Sequence, residues 1–184
     1  MNNFDKIISL IPDPSSLHQE AQKIASEDSE YAEFIPEALP SFDVFKSNDG
    51  GGQEGNIAFY KENGKVVAAL TYAFDHESEL FVGMDSEALA KEQFIFNGVP
   101  EVFAPVFGEA SPFLWKFDEF PTTFSTVFAT AAAWSTDGSW SYADLSDKTD
   151  FEDHEPVDTK QLANYFKYSF KRFEFVAEYK ADGN

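Results

Sequence analysis

The sequence predicts an α+β fold in a single domain over residues 1–184, an antiparallel sheet built around a central hairpin and packed by helices. Three observations predict it. Asn63-Gly64 separates two apolar runs, the favoured short-hairpin signal because both residues accept positive φ. Leu17, Ala21, Ile24 and Ala25 recur at helical spacing behind Asp13-Pro14-Ser15-Ser16, which offers cap candidates and a Pro suited to a first turn. Finally, 21 Phe accompany a formal charge of -20. Disordered acidic chains are poor in aromatic residues because they cannot bury enough apolar surface to offset chain entropy, so this acidic chain folds.

The elements follow in order. The first forty residues read as helical and polar-faced, centred on a helix near 15 to 26, until Pro36 and Pro40 interrupt the pattern. Phe42, Val44 and Phe45 form a short apolar stretch ending in Ser47-Asn48-Asp49-Gly50-Gly51-Gly52, a loop signal. In the hairpin of 56 to 74, Val66, Ala68, Leu70, Tyr72 and Phe74 share one face. Val67, Ala69, Thr71 and Ala73 share the other. The second face is small and barely polar, so it is expected to be covered too, which makes this hairpin central. Leu80-Phe81-Val82 suits a strand, 86 to 91 a short helix, and Phe113 to Phe117 a strand. The apolar run 94 to 112, cut by Gly98, Pro100 and Pro105, fits no regular element. From Pro121, the spacing of Phe124, Val127, Phe128 and Ala131 predicts a helix over 121 to 134, although its Thr content favours a strand. Trp134 and Trp140 flank Asp137-Gly138, where pairing across a hairpin is expected. Asp158-Thr159-Lys160-Gln161 resembles the start of a helix over 159 to 171, and 172 to 184 fits helix and strand alike.

Composition restricts function. Lys and Arg total 13 against 33 Asp and Glu, so no cationic footprint exists for direct binding to phosphate backbones or anionic membranes. Cys is absent, which excludes thiol catalysis and thiolate metal sites. No apolar run approaches the ~20 residues of a membrane span, and Met1 to Pro14 lacks the apolar core of a secretory signal. A cytoplasmic protein is expected.

Catalytic signatures are sparse. The chain has neither a G-x-S-x-G elbow nor an H-E-x-x-H motif, and only three His. His18 reads as an exposed residue of the polar helix. His76 and His154 both stand in Asp-His-Glu tripeptides, which admits an alternative reading as a divalent-metal-dependent hydrolase using both imidazoles with neighbouring carboxylates. Adjacent side chains on a strand point to opposite faces, so neither tripeptide alone aims three ligands at one ion.

The leading expectation is non-catalytic. Residues 137 to 158 hold eight carboxylates and one Lys. Within them Asp144, Asp147, Asp150, Glu152 and Asp153 are the candidate contacts to a basic protein partner, with Trp140 and Tyr142 as aromatic anchors. Acidic surfaces steer cationic partners to rapid association. No cofactor is implied.

One short stretch adds to this. Phe34 to Gly52, with Leu39-Pro40, Phe42, Phe45 and Asn48-Asp49-Gly50-Gly51, resembles the helix-then-Asn-Gly-Gly segment of the SUKH-type immunity superfamily. Members of that superfamily protect bacteria from polymorphic toxins. An additional Asp separates Asn48 from the glycines, and Phe42 stands where Tyr is usual. The resemblance implies an immunity role and transfers no binding residue.

Overall fold

A computed structural model describes residues 8–9, 11–27, 32–48, 53–75, 94–119, 122–127, 129 and 131–143. Over these residues the chain is α+β. Helix α1 spans Pro14–Glu27. Asp13 caps it: Oδ1 accepts from the Ser15 and Ser16 amides at 3.0 and 3.1 Å, and Oδ2 accepts from the Ser16 hydroxyl at 2.7 Å. Pro14 takes the first helical position, where a missing N–H leaves nothing unsatisfied.

The hydrogen bonds from Ser16 hold the Asp13 carboxyl below its ordinary value. A depressed folded-state value contributes stability above the unfolded value of about 3.9, and that contribution is lost as pH falls through the folded value. Asp13→Ala is therefore expected to lower stability by about 1 kcal/mol at neutral pH. Urea melts should show the deficit shrinking in the acid range.

Six strands form the main sheet. They are β1 (Ala32–Leu39), β2 (Phe42–Asn48), β3 (Gln53–Glu62), β4 (Lys65–Asp75), β7 (Ala131–Ser135) and β8 (Trp140–Ser141), in the spatial order β1-β2-β3-β4-β7-β8. Every pairing in it is antiparallel. A separate ribbon joins β5 (Trp115–Glu119) to β6 (Thr122–Thr126). The β3-β4 hairpin is central, as the sequence predicts, and turns through Asn63 at φ 51° and Gly64 at φ 77°. Its edges are protected: β8 is two residues long, and β1 carries Pro36, which offers no N–H to an incoming strand.

Three expectations are corrected. Residues 32 to 39 are a strand rather than part of a helical amino-terminal region. At the sheet edge Pro36 is tolerated, and the register with β2 shifts after it. The predicted helix over 121 to 134 is instead β6 and β7. Thr122, Thr123 and Thr126 are β-branched and lose rotamer freedom in a helix, and Phe124 pairs with Phe117 across the ribbon. Trp134 and Trp140 do flank a hairpin turn, yet Trp134 pairs with Ser141 and Trp140 with Ser135. That one-residue offset sends the two indoles to opposite faces of the sheet.

Both faces are covered. The small face of β4, Ala69, Thr71 and Ala73, lies under α1, whose Leu17 and Ala21 are fully buried, whereas Val67, expected to be covered with them, is 39% exposed beside the hairpin turn. Small residues there let the helix axis approach closely. The opposite face bears Phe42, Val44, Leu70, Tyr72 and Trp134, and packs against the 94–114 stretch, the run without a regular pattern. That stretch contains two short 3-10 segments, Phe94–Phe96 and Glu101–Phe107. Edge-to-face contacts from Tyr72 to Phe96 and to Phe113, at 5.6 and 5.4 Å, join the layers, and Lys46 Nζ donates to the Pro112 carbonyl at 3.1 Å. Gly98, at φ 89°, lets the chain pass over the Trp134 ring. The strand and helix expected at 80–82 and 86–91, and everything expected beyond 143, lie outside the described residues.

Candidate functional site

The chemistry-bearing cluster sits where α1 crosses the β2-β3 end of the sheet. Asp43 is one residue from Phe42 and two from Phe45, so strand alternation points it to the helix side beside Phe45. It is only 6% exposed. Both of its oxygens are committed: Oδ2 to His18 Nε2 at 2.8 Å, and Oδ1 to Lys61 Nζ in an ion pair. His18 is consequently not the exposed helix residue that its polar surroundings predict. Its side chain is 13% exposed, and its ring meets Phe59 and Phe45 edge-on at centroid distances of 4.8 and 5.8 Å.

Helical geometry builds the rest. Pro14, Leu17 and Ala21 form the buried stripe of α1, and the stripe beside it is Ser15, His18, Gln19 and Gln22, again at i, i+3, i+4 and i+7. Facing that polar stripe are Asp43 and Lys61 with Gly64 of the hairpin turn and Lys65 and Val66 at the start of β4. Together they line an open groove of about 500 Å3, within the usual size of small-molecule sites. Positioning is firm at the strand side, where the Lys61 amide donates to the Ser41 carbonyl at 2.7 Å.

The sequence-predicted contacts are placed only in part. Trp140 lies on β8, half-buried, and its indole N–H donates to the Pro12 carbonyl at 2.7 Å, tying the lead-in of α1 to the sheet. Tyr142 follows, half-buried against the core. Asp144, Asp147, Asp150, Glu152, Asp153, His76 and His154 all lie outside the described residues. Among the described residues no group of three or more His, Asp or Glu is placed to hold a metal ion, and no helix is long and apolar enough to cross a membrane.

One further polar spot occurs on the opposite face. Asn56 and Tyr72 pair directly in register, both at most 3% exposed, and Asn56 Oδ1 and the Tyr72 hydroxyl find no hydrogen-bond partner among the described residues. Burial, and secondarily the charge of Glu54, pushes the Tyr72 hydroxyl well above its ordinary value. Tyr72 therefore stays a neutral phenol at physiological pH and supplies no base.

The groove was missed in sequence because its helix stripe is indistinguishable from a solvated face. One signal pointed to it: Asp43 stands inside the apolar stretch of Phe42, Val44 and Phe45, so its charge had to find partners. Of residues 34 to 52, which carry the SUKH resemblance, the described part to Asn48 forms β1 and β2 joined by a turn at Ser41, φ 66°, where the resembled segment has a helix. A scan against protein-family models, and searches of curated proteins and of solved structures, find no match to this chain.

Proposed function

We propose that this protein is a non-catalytic acidic binding protein, most concretely a cytoplasmic immunity protein or inhibitor that occludes a basic toxin or effector protein. The observation that carries the reading is the charge of -20 on a chain with a well-filled aromatic core. Net charge of that size destabilises the compact state by self-repulsion, so a folded domain that keeps it gains something in return. Attraction of a cationic partner is that return, and the immunity resemblance of residues 34 to 52 agrees with it. The short β8 edge leads from Trp140 and Tyr142 directly into the acidic run of Asp144, Asp147, Asp150, Glu152 and Asp153. These residues form the proposed contact surface.

The test is affinity capture at low salt, followed by titration of the captured complex. The partner is expected to be basic, with affinity falling at least tenfold between about 50 and 200 mM salt as the Debye length shortens. Reversing Asp147, Asp150 and Asp153 to Lys should abolish capture. A partner bound equally well by that triple variant would overturn the acidic surface.

A further inference from the structure

In the groove between α1 and the β3-β4 turn the chain's charge reverses beside a concave surface. Its lining contains two ammonium groups, Lys61 and Lys65, against a single carboxylate, Asp43. Each oxygen of that carboxylate already has a described partner. Oδ1 is taken by Lys61 and Oδ2 by His18. A cation entering the groove therefore meets two like charges and a carboxylate already engaged by Lys61 and His18. An anion meets the ammonium of the exposed Lys65 and the outward side of Lys61, with amide donors from Gln19 and Gln22 and the hydroxyl of Ser15 along the helix.

We propose that this groove binds a small organic oxyanion, carboxylate or phosphoryl, held by Lys61 and Lys65 and by the polar stripe of α1, with Asp43 as the positioning residue that fixes Lys61 and His18. This goes beyond the partner reading above and does not rest on it. The two surfaces have opposite signs and different residues.

The arrangement of the floor supports a binding role over a purely structural one. Burying Asp43 beside Phe45 and Phe59 carries a desolvation penalty that a well-packed apolar side chain at the same position would avoid. The ion trio instead holds Lys61 in one orientation at the groove wall, so a ligand does not have to order it. Within the lining itself the charges are two ammonium groups and one carboxylate. At physiological ionic strength the Debye length is about 8 Å, so the near charges dominate what an anion in the groove experiences.

The experiment is a titration of the full chain with citrate and, separately, inorganic phosphate, read by backbone amide shifts and calorimetry at constant ionic strength. Saturable shifts of Gln19, Gln22, Lys61 and Lys65 are expected, with dissociation constants of about 1 mM or tighter. Lys65→Glu, at the exposed first residue of β4, should weaken binding at least tenfold. Lys23→Gln, on α1 outside the groove, should leave it unchanged. Response to citrate alone or to phosphate alone identifies the oxyanion class and supports the site in either case. Shifts that never saturate, or binding that Lys65→Glu leaves intact, would overturn it. Failure of this titration leaves the acidic contact surface untouched, because capture of a basic partner depends on Asp147, Asp150 and Asp153.

Discussion

Phe59→Ala is expected to remove about 4 kcal/mol of stability, a large share of the 5–15 kcal/mol typical of a domain. Phe59 is fully buried at the centre of β3. Its ring meets Phe45 at 5.7 Å and 84°, and His18 at 4.8 Å and 83°, so it is the surface on which the helix, its neighbouring strand and the ion trio all rest. Across the hairpin its partner is Ala69, equally buried and too small to swing into the vacated space. The cavity therefore stays open, and cavity volume adds to the lost transfer energy. Phe34 supplies the comparison. It stacks on the same Phe45 at 4.8 Å but stands on edge strand β1 and is 37% exposed. Phe34→Ala should cost clearly less, about 1–2 kcal/mol, since over a third of its surface already faces water. Urea midpoints at unchanged slope measure both variants, and equal losses would refute the assignment of Phe59 as the keystone between helix and sheet.

How far the sequence discloses this arrangement depends on how local each signal is. The Asn63-Gly64 turn and the Asp13-Pro14 start of α1 are readable because a few adjacent residues set the backbone, and the structure has both where they are expected. The expectation that the Val67, Ala69, Thr71, Ala73 face is covered holds for the last three, since small side chains alternating with large ones need a partner on each side, while Val67 stays exposed near the hairpin turn. Residues 121 to 134 mislead because a strand, a break and a second strand happened to reproduce helical spacing at Phe124, Val127, Phe128 and Ala131. Register is less legible still. Whether Trp134 and Trp140 meet or point apart turns on a single residue of offset that no local preference fixes. The groove belongs to the same class, because His18, Asp43 and Lys61 are 25 and 18 residues apart along the chain and only the tertiary fold brings them together.

Lys61→Met should cost about 2 kcal/mol, because it leaves the Asp43 carboxylate buried with His18 as its only described partner. Breaking a fully buried ion pair is worth 3–5 kcal/mol, and the smaller figure reflects the 28% exposure of the Lys61 side chain, through which water can reach the vacated position. Replacing the whole trio tests a different proposition. His18→Leu, Asp43→Leu and Lys61→Met together remove all three desolvated polar groups and extend the apolar surface of Phe45 and Phe59. Exchanges of that kind are commonly neutral or stabilising, so the triple variant is expected within about 1 kcal/mol of the parent, or above it. The comparison separates two reasons for the trio to exist. If it served stability, the triple variant would be at least as unstable as Lys61→Met. If it serves the groove, the triple variant folds well, melts at or above the parent temperature, and has lost its response to citrate and phosphate. The second outcome is expected, since Asp43 spends both of its oxygens on orienting groups that face the groove and none on the backbone that surrounds it.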